Sequence, residues 1–371
     1  MHWQSLPPPH AGLTPAFTDA ASAQAWLEAL APETVTEALI AIGEQIEAID
    51  AATLPAPQAI ALLSQLRSAA VPLQTSAEAL YTRKPVPLSE PEELAFSVAR
   101  DLWMHLGVAY LRLVPLCTPA NRCLPLERAA NAFRLAQHTC FLAGRSYPGA
   151  IDGLFIEVLA SAEANGVLRR PLADPDFPHD GKSSVSGELA WALMFRAIDA
   201  YHLTAIHLPF ANRIFRRWRE LTSFQPTPED VKPSQLFDLQ ELAGAELPAG
   251  IPRYLNIRTV AHKLAGRIAA LQDGQSPESL HLGRTLSPAA ATRLLRDIER
   301  RLHPRLSAGE RDEGQIELAF GGEDAYALLK DSVLNPVSTA GSSTTSPYGR
   351  SGLALALGET PAAKLAGKAA P

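Results

Sequence analysis

Thirty-one prolines in 371 residues constrain this chain more than any other feature. Proline offers no backbone N–H to a helix interior or a central strand, so it gathers at the edges of elements. Between the prolines, alanine and leucine recur at helical spacing. β-Branched and aromatic residues are sparse, the aromatics at 6%, and that balance favours helices over strands. The expected fold is all-α: an irregular multi-helix array with at most one short strand, near 315–320.

In chain order, residues 1–18 form a Pro-rich lead-in. An N-terminal helical segment over 19–82 holds predicted helices at 19–30, 32–49 and 57–70, then a short one to 81, with Pro32, Pro55, Pro57 and Pro72 at their edges. The linker RKPVPLSEP leads to a central helical domain over 89–224. Ser89, Pro91 and Glu92 read as a cap, a first-turn proline and a capping box. They open a helix to about 114, apolar on most sides apart from Asp101, His105 and Arg112. Further helices are predicted over 126–143 and 148–165, with Gly166 as terminator and 169–183 as a polar loop. A C-terminal helical segment spans 225–330, with helices at 253–272 and 287–302 and a last one at 323–330. Thr227-Pro228 reads as one more helix start, and 231–252 as irregular or short-helical. From 331 to 371 the composition turns to Ser, Thr, Gly, Pro and Ala, which predicts a disordered tail.

The longest helical pattern, 184–224, is the expected centre of the fold. Stepping 100° per residue puts Trp191, Phe195, Ile198, His202 and Ala205 on one core stripe. Pro209 predicts a kink or stop near His207. In the helix beyond it, Phe210, Ile214, Trp218 and Leu221 align, with Arg213, Arg216, Arg217 and Glu220 on the neighbouring face. Guanidiniums so spaced suit a phosphate or carboxylate ligand. The same spacing suits a solvated face whose arginine stems cover apolar neighbours.

Sharper chemistry finds little support. Cys117, Cys123, His138 and Cys140 supply metal-ligand types, but Cys140 shares a stripe with Ala129, Phe133 and Ala136 while His138 points away, so one tetrahedral site is not expected. Gly181-Lys182-Ser183 has Asp176 where a phosphate-binding loop needs glycine. Asp101–His105 and Asp199–His202 are the only Asp–His pairs to weigh for catalysis, and His202 reads as a core residue bonded to Asp199. No nucleophile elbow or zinc-protease motif occurs. No catalytic residue, cofactor or metal is expected. The net charge of −6 argues against general nucleic-acid binding. The N-terminus carries no secretory signal pattern, no apolar run has transmembrane length, and three cysteines make a disulfide framework improbable. A cytoplasmic protein is the default.

A second arginine cluster comprises Arg293, Arg296, Arg300, Arg301 and Arg305. The stretch RRLHPRLSAGERDEGQIELAFGGEDAYALL follows a basic run with a short strand, a Gly-Gly pair and a small helix. It resembles a group of proteobacterial proteins in which a long helical region precedes a PilZ-type barrel that receives cyclic-di-GMP. The PilZ pattern is Arg-x-x-x-Arg, then Asp/Asn-x-Ser-x-x-Gly. Arg296/Arg300 and Arg301/Arg305 match the first half; Asn335, Ser338 and Gly341 approach the second with one residue extra. The resemblance implies a non-enzymatic regulatory or adaptor protein responsive to cyclic-di-GMP and joined to a protein partner. Arg213, Arg216, Arg217, Arg296, Arg300, Arg301 and Arg305 would meet phosphates, and Trp218 would stack a base. The alternatives are a helical interaction scaffold without a small ligand, and a helical enzyme built on an Asp–His pair.

Overall fold

The computed structural model describes residues 6–302, apart from 7, 10–11, 83, 86, 146–148, 205, 229–230, 233–234, 244–246 and 248. All of them belong to the first of two units into which the chain divides, Met1–Leu306. The all-α expectation is met. Asp19 caps Ala20–Ala29 (α1) in a reciprocal box with Ser22. Thr34 caps Val35–Ala51 (α2) by accepting the Glu37 N–H. Ala56–Tyr81 (α3) runs straight through Pro72, where the sequence predicts a break. Pro72 and Ser68, whose carbonyl loses its helical donor, are both exposed. Water can satisfy that carbonyl, and buried residues on both sides of the proline hold the helix.

Glu92 accepts the Ser89 N–H at 2.9 Å and opens Glu90–Leu113 (α4), as predicted. The next helix, Cys123–Leu142 (α5), is buried on nearly every side and packs against α3 and α4. It, rather than 184–224, is the centre of the fold. Its approach to α4 is close: a Cβ at Gly107 would lie 2.4 Å from the Phe133 ring. Ala150–Ala164 (α6) also packs on α5 and ends at Gly166 in a left-handed conformation, φ 63°.

The 169–183 loop is more ordered than predicted. Leu172–Ala173 (β1) pairs antiparallel with Lys182–Ser183 (β2). Ser184 then caps Val185–Ala197 (α7). This helix stops at Ile198, well before the predicted break near His207. Asp199 adopts φ 51°, ψ 59°, a left-handed conformation that Asp tolerates better than most residues. The orphaned Ile198 carbonyl accepts Arg301 Nη1 at 3.2 Å. A single 3-10 turn, Ala200–His202, follows, and the chain re-enters helix at His207–Trp218 (α8). Pro209 therefore sits in the first turn of α8, where its missing N–H costs nothing. His202, expected in the core, has a side chain 57% exposed; its bond to Asp199 is present at 2.9 Å.

Ser223–Gln225 (β3), Leu236–Asp238 (β4) and Tyr254–Asn256 (β5) form an antiparallel sheet in the order β3-β5-β4, with the short helix Leu239–Ala243 (α9) after β4. Phe224, Leu255 and Phe237 lie in register across it and are buried. Both small sheets correct the expectation of at most one strand: two- and three-residue strands are too short to display a period of two. The predicted helix start at Thr227-Pro228 falls in the β3–β4 connection. Arg258–Gln272 (α10) buries Val260, Leu264, Ile268 and Leu271, and packs on Pro288–Leu302 (α11). On α11, Leu294, Leu295, Ile298 and Leu302 face in while Arg293, Arg296 and Arg300 face out, as the spacing predicts. One connected hydrophobic cluster runs from Phe17 to Leu302. The strand near 315–320 and the helix at 323–330 lie outside the described residues. Among the described residues, no helix is long and apolar enough to cross a membrane.

Candidate functional site

The two arginine faces occupy α8 and α11. On α8, Arg213 Nη1 donates to the Leu282 carbonyl at 3.1 Å. Its guanidinium fills the space a Cβ at Gly283 would need, and Gly283 sits at φ 95°, so this arginine is locked into the loop ahead of α11. Arg216 is 41% exposed and pairs with Asp180 at 3.2 Å. Arg217 is exposed. Trp218 is 4% exposed, its ring turned into the core, so this arrangement offers no indole for a base to stack on at the surface. On α11, Arg296 and Arg300 are exposed, and Arg300 and Arg301 both pair with Asp297. Arg305 and the pattern Asn335, Ser338 and Gly341 lie outside the described residues.

The Arg301–Ile198 bond brings the end of α11 to the C-terminus of α7, beside a cavity of about 230 Å³. Phe141 of α5, Phe195 and Arg196 of α7, Asp152 of α6, and Asp199 and Tyr201 of the turn line it. The Phe141 and Phe195 rings lie 5.8 Å apart. Arg196 Nε is 3.3 Å from Asp152 Oδ2. Tyr201 is 43% exposed and stands edge-on to the His202 ring at 5.0 Å. Behind Phe195 lies His138, half-buried, its ring 5.9 Å from Phe195 and its Nε2 enclosed without a hydrogen-bond partner among the described residues. Burial, with Arg134 nearby, pushes the His138 pKa down to about 3, so the imidazole is neutral.

A buried ionic network runs along α5, and sequence reading missed it. Arg67 of α3 donates to both Asp174 oxygens, at 3.0 and 2.6 Å, to Asn131 at 2.9 Å, and to Asp176. Arg128 also pairs with Asp174 and, at 3.2 Å, with Glu127. At the other end, Glu188 of α7 accepts from Arg134 at 2.8 Å, Asn131 at 3.1 Å and Ser183 at 2.7 Å, with Arg219 at 3.7 Å. Arg134 lies over the Trp191 ring at 3.6 Å. Burial pushes the Glu188 carboxyl up, but Arg134, Arg219 and Ser183 outweigh it and hold it well below the usual range. Glu127 differs. Burial pushes it up to about 7, Arg128 offsets only part of that, and the Glu188 and Asp174 charges add to it. Four guanidiniums and four carboxylates thus clamp the 169–183 loop to the central helix. No single stretch of the sequence signals it, because its members come from α3, α5, the 169–183 loop and α7.

The remaining candidates are structural in placement. Asp101 and His105 do not pair: Asp101 accepts from Arg100 at 2.7 Å, and His105 Nδ1 meets Glu47 of α2 at 2.9 Å. Cys117, Cys123 and Cys140 are free and buried. Among the described residues, no group of three or more His, Cys, Asp or Glu side chains is placed to hold a metal ion.

Against known proteins, a family model described as the cyclic-di-GMP receptor FimW, N-terminal domain, matches residues 21–229, more than half the chain. The matched region takes in the ionic network, the cavity and α8, and stops before β4. No curated protein and no solved structure matches.

Proposed function

Because the chain belongs to the family of the cyclic-di-GMP receptor FimW, N-terminal domain, we propose that it is a cyclic-di-GMP-responsive regulatory protein of the cytoplasm, acting as an adaptor. The family is one of receptors, not of enzymes. The match over 21–229 carries the reading. The exposed guanidiniums support it. A cyclic dinucleotide presents two phosphates, and arginine binds phosphate through paired, charge-assisted hydrogen bonds. Arg217 on α8 and Arg296 on α11 are exposed to such a ligand, and Arg216 and Arg300, each in a part-exposed ion pair, with Asp180 and Asp297 respectively, lie beside them. Arg213 is already committed to the Leu282 carbonyl. Arg296 and Arg300 are also the first half of the PilZ-type pattern, which would make α11 the phosphate-bearing face.

The test is calorimetric titration of the full chain with cyclic-di-GMP. Wild type, Arg216→Ala/Arg217→Ala and Arg296→Ala/Arg300→Ala are compared. The expected result is saturable binding by wild type and a loss of at least about tenfold in one of the pairs, since a hydrogen bond to a charged group is worth ~1.5–3 kcal/mol. Absence of both heat and a melting shift in wild type removes the receptor reading. Binding that both pairs retain in full removes these arginines as its phosphate contacts.

A further inference from the structure

We infer that the exposed face of α10 docks on α2 of a second copy of this chain. The inference goes beyond the receptor reading and does not depend on it: α10 lies outside the matched residues 21–229. Charge is spread unevenly along the sequence. Residues 1–82 hold eight Asp and Glu against a single Lys or Arg, Arg67, which is committed to the buried network. Residues 258–302 hold eight Lys and Arg against four Asp and Glu. α10 itself has no acidic residue.

On α10, Arg258, His262 and Lys263 are exposed and Arg267 is half-buried. None of these side chains has a hydrogen-bond or ion-pair partner among the described residues. Lys263 and Arg267, four residues apart, repel each other, and no carboxylate on the helix offsets them. At 100° per residue Arg258 and His262 form one ridge, Lys263 and Arg267 another, and the exposed Thr259 and Gly266 lie between. A Cβ at Gly266 would meet nothing, so this lane is open.

α2 presents the complement. Glu37, Ile40 and Glu44 fall on one exposed stripe. Ile40 is 37% exposed, a large apolar side chain left at the surface, and neither glutamate has an ion-pair partner among the described residues. Glu37 and Glu44 are seven residues apart, ~10.5 Å along the axis, as are Thr259 and Gly266. Laid along the lane, the stripe sets Ile40 against the small residues and brings its carboxylates within reach of the flanking cations. Other anionic surfaces fit less well. The net charge of −6 opposes nucleic acid, and this face of α10 lacks the large apolar side chains that a helix buries in a bilayer. Because two different faces meet, the contact is heterologous and runs head to tail into a ring or an open chain. Two helix faces bury less than the ~1,200 Å² of a stable complex, so the assembly is of the transient, salt-sensitive kind.

The test is sedimentation velocity of the full chain at ~10 mM salt, where charges act over ~30 Å, and at ~1 M, where they act over ~3 Å. Wild type should associate at low salt and dissociate at high salt. Arg258→Glu/Lys263→Glu and Glu37→Lys/Glu44→Lys should each associate at least about tenfold more weakly, since like charges then face each other. An equimolar mixture of the two should regain association, because each supplies the face the other lacks, and that rescue also shows both variants to be folded. Wild type that stays monomeric at low salt overturns the inference; if it is then retained by immobilised heparin and Arg258→Glu/Lys263→Glu is not, the α10 face belongs to a different anionic partner. Association that either variant keeps in full, or a mixture that stays monomeric, overturns this pairing of faces. No dinucleotide is present, so every outcome leaves the receptor reading where it stands.

Discussion

Two side chains on α5, the buried Glu127 and the half-buried His138, pull the pH dependence of stability in opposite directions. Burial raises the Glu127 pKa to about 7 in the folded chain, against the ordinary glutamate value of 4.5 when unfolded. Between those values the folded state keeps a proton that the unfolded state has released, so stability falls as pH rises from 4.5 to 7. His138 titrates near 3 when folded against 6.5. Here the unfolded state binds the extra proton, so stability is lost as pH falls from 6.5 to 3. In the shared window from 4.5 to 6.5 the two slopes oppose, and the wild-type profile is flatter than either residue alone would give. Glu127→Gln should therefore gain stability over wild type progressively from pH 4.5 to 7, by up to roughly 3 kcal/mol. His138→Leu should hold its stability further into acid than wild type. Urea midpoints across pH 3 to 8 check both; a Glu127→Gln difference that does not change with pH would contradict the placement of this carboxyl. Nothing in the sequence shows either effect, because both arise from burial of a helix whose polar residues suggest a surface.

Helix boundaries follow their local chemistry where capping decides them, and depart from it where a distant contact does. The Ser89–Glu92 box, Ser184 and Ser287 open α4, α7 and α11 as their sequences indicate. The end of α7 was not legible, because it depends on a left-handed Asp199 and on Arg301 reaching in from α11. Pro72 shows the converse: a residue that ends helices is tolerated in α3 because its freed carbonyl faces water. Restoring the N–H in Pro72→Ala should stabilise the protein by about 2 kcal/mol after the loss of proline's restraint on the unfolded chain. The opposite sign is expected on α4. Alanine is the better helix former at Gly107, yet its Cβ would enter the Phe133 ring of α5. Gly107→Ala should cost ~1–3 kcal/mol through overpacking. Chemical denaturation of the two variants side by side distinguishes local helix propensity from packing between helices.

At the scale of the whole molecule, the helical class and the periodic faces of α8, α10 and α11 were legible, because each rests on spacing within one segment. The centre was not. The longest pattern, 184–224, looked central, but burial depends on how many neighbours a helix has, and α5 lies among α3, α4, α6 and α7. The ionic network joins Arg67, Asn131, Asp174 and Glu188 from four separate segments, and no single stretch advertises it. The cavity combines α5, α6, α7 and the turn after α7 in the same way. Of the arginines singled out by spacing, Arg213 and Arg301 turn out to be committed to carbonyls and Arg216 and Arg300 to carboxylates, while Arg217 and Arg296 are exposed. We propose that this helical unit itself receives cyclic-di-GMP, through the exposed arginines of α8 and α11. Amide hydrogen exchange on the full chain, with and without saturating cyclic-di-GMP, tests it most directly. Added protection concentrated along α8 and α11 is the predicted result; exchange unchanged across the described residues would contradict it.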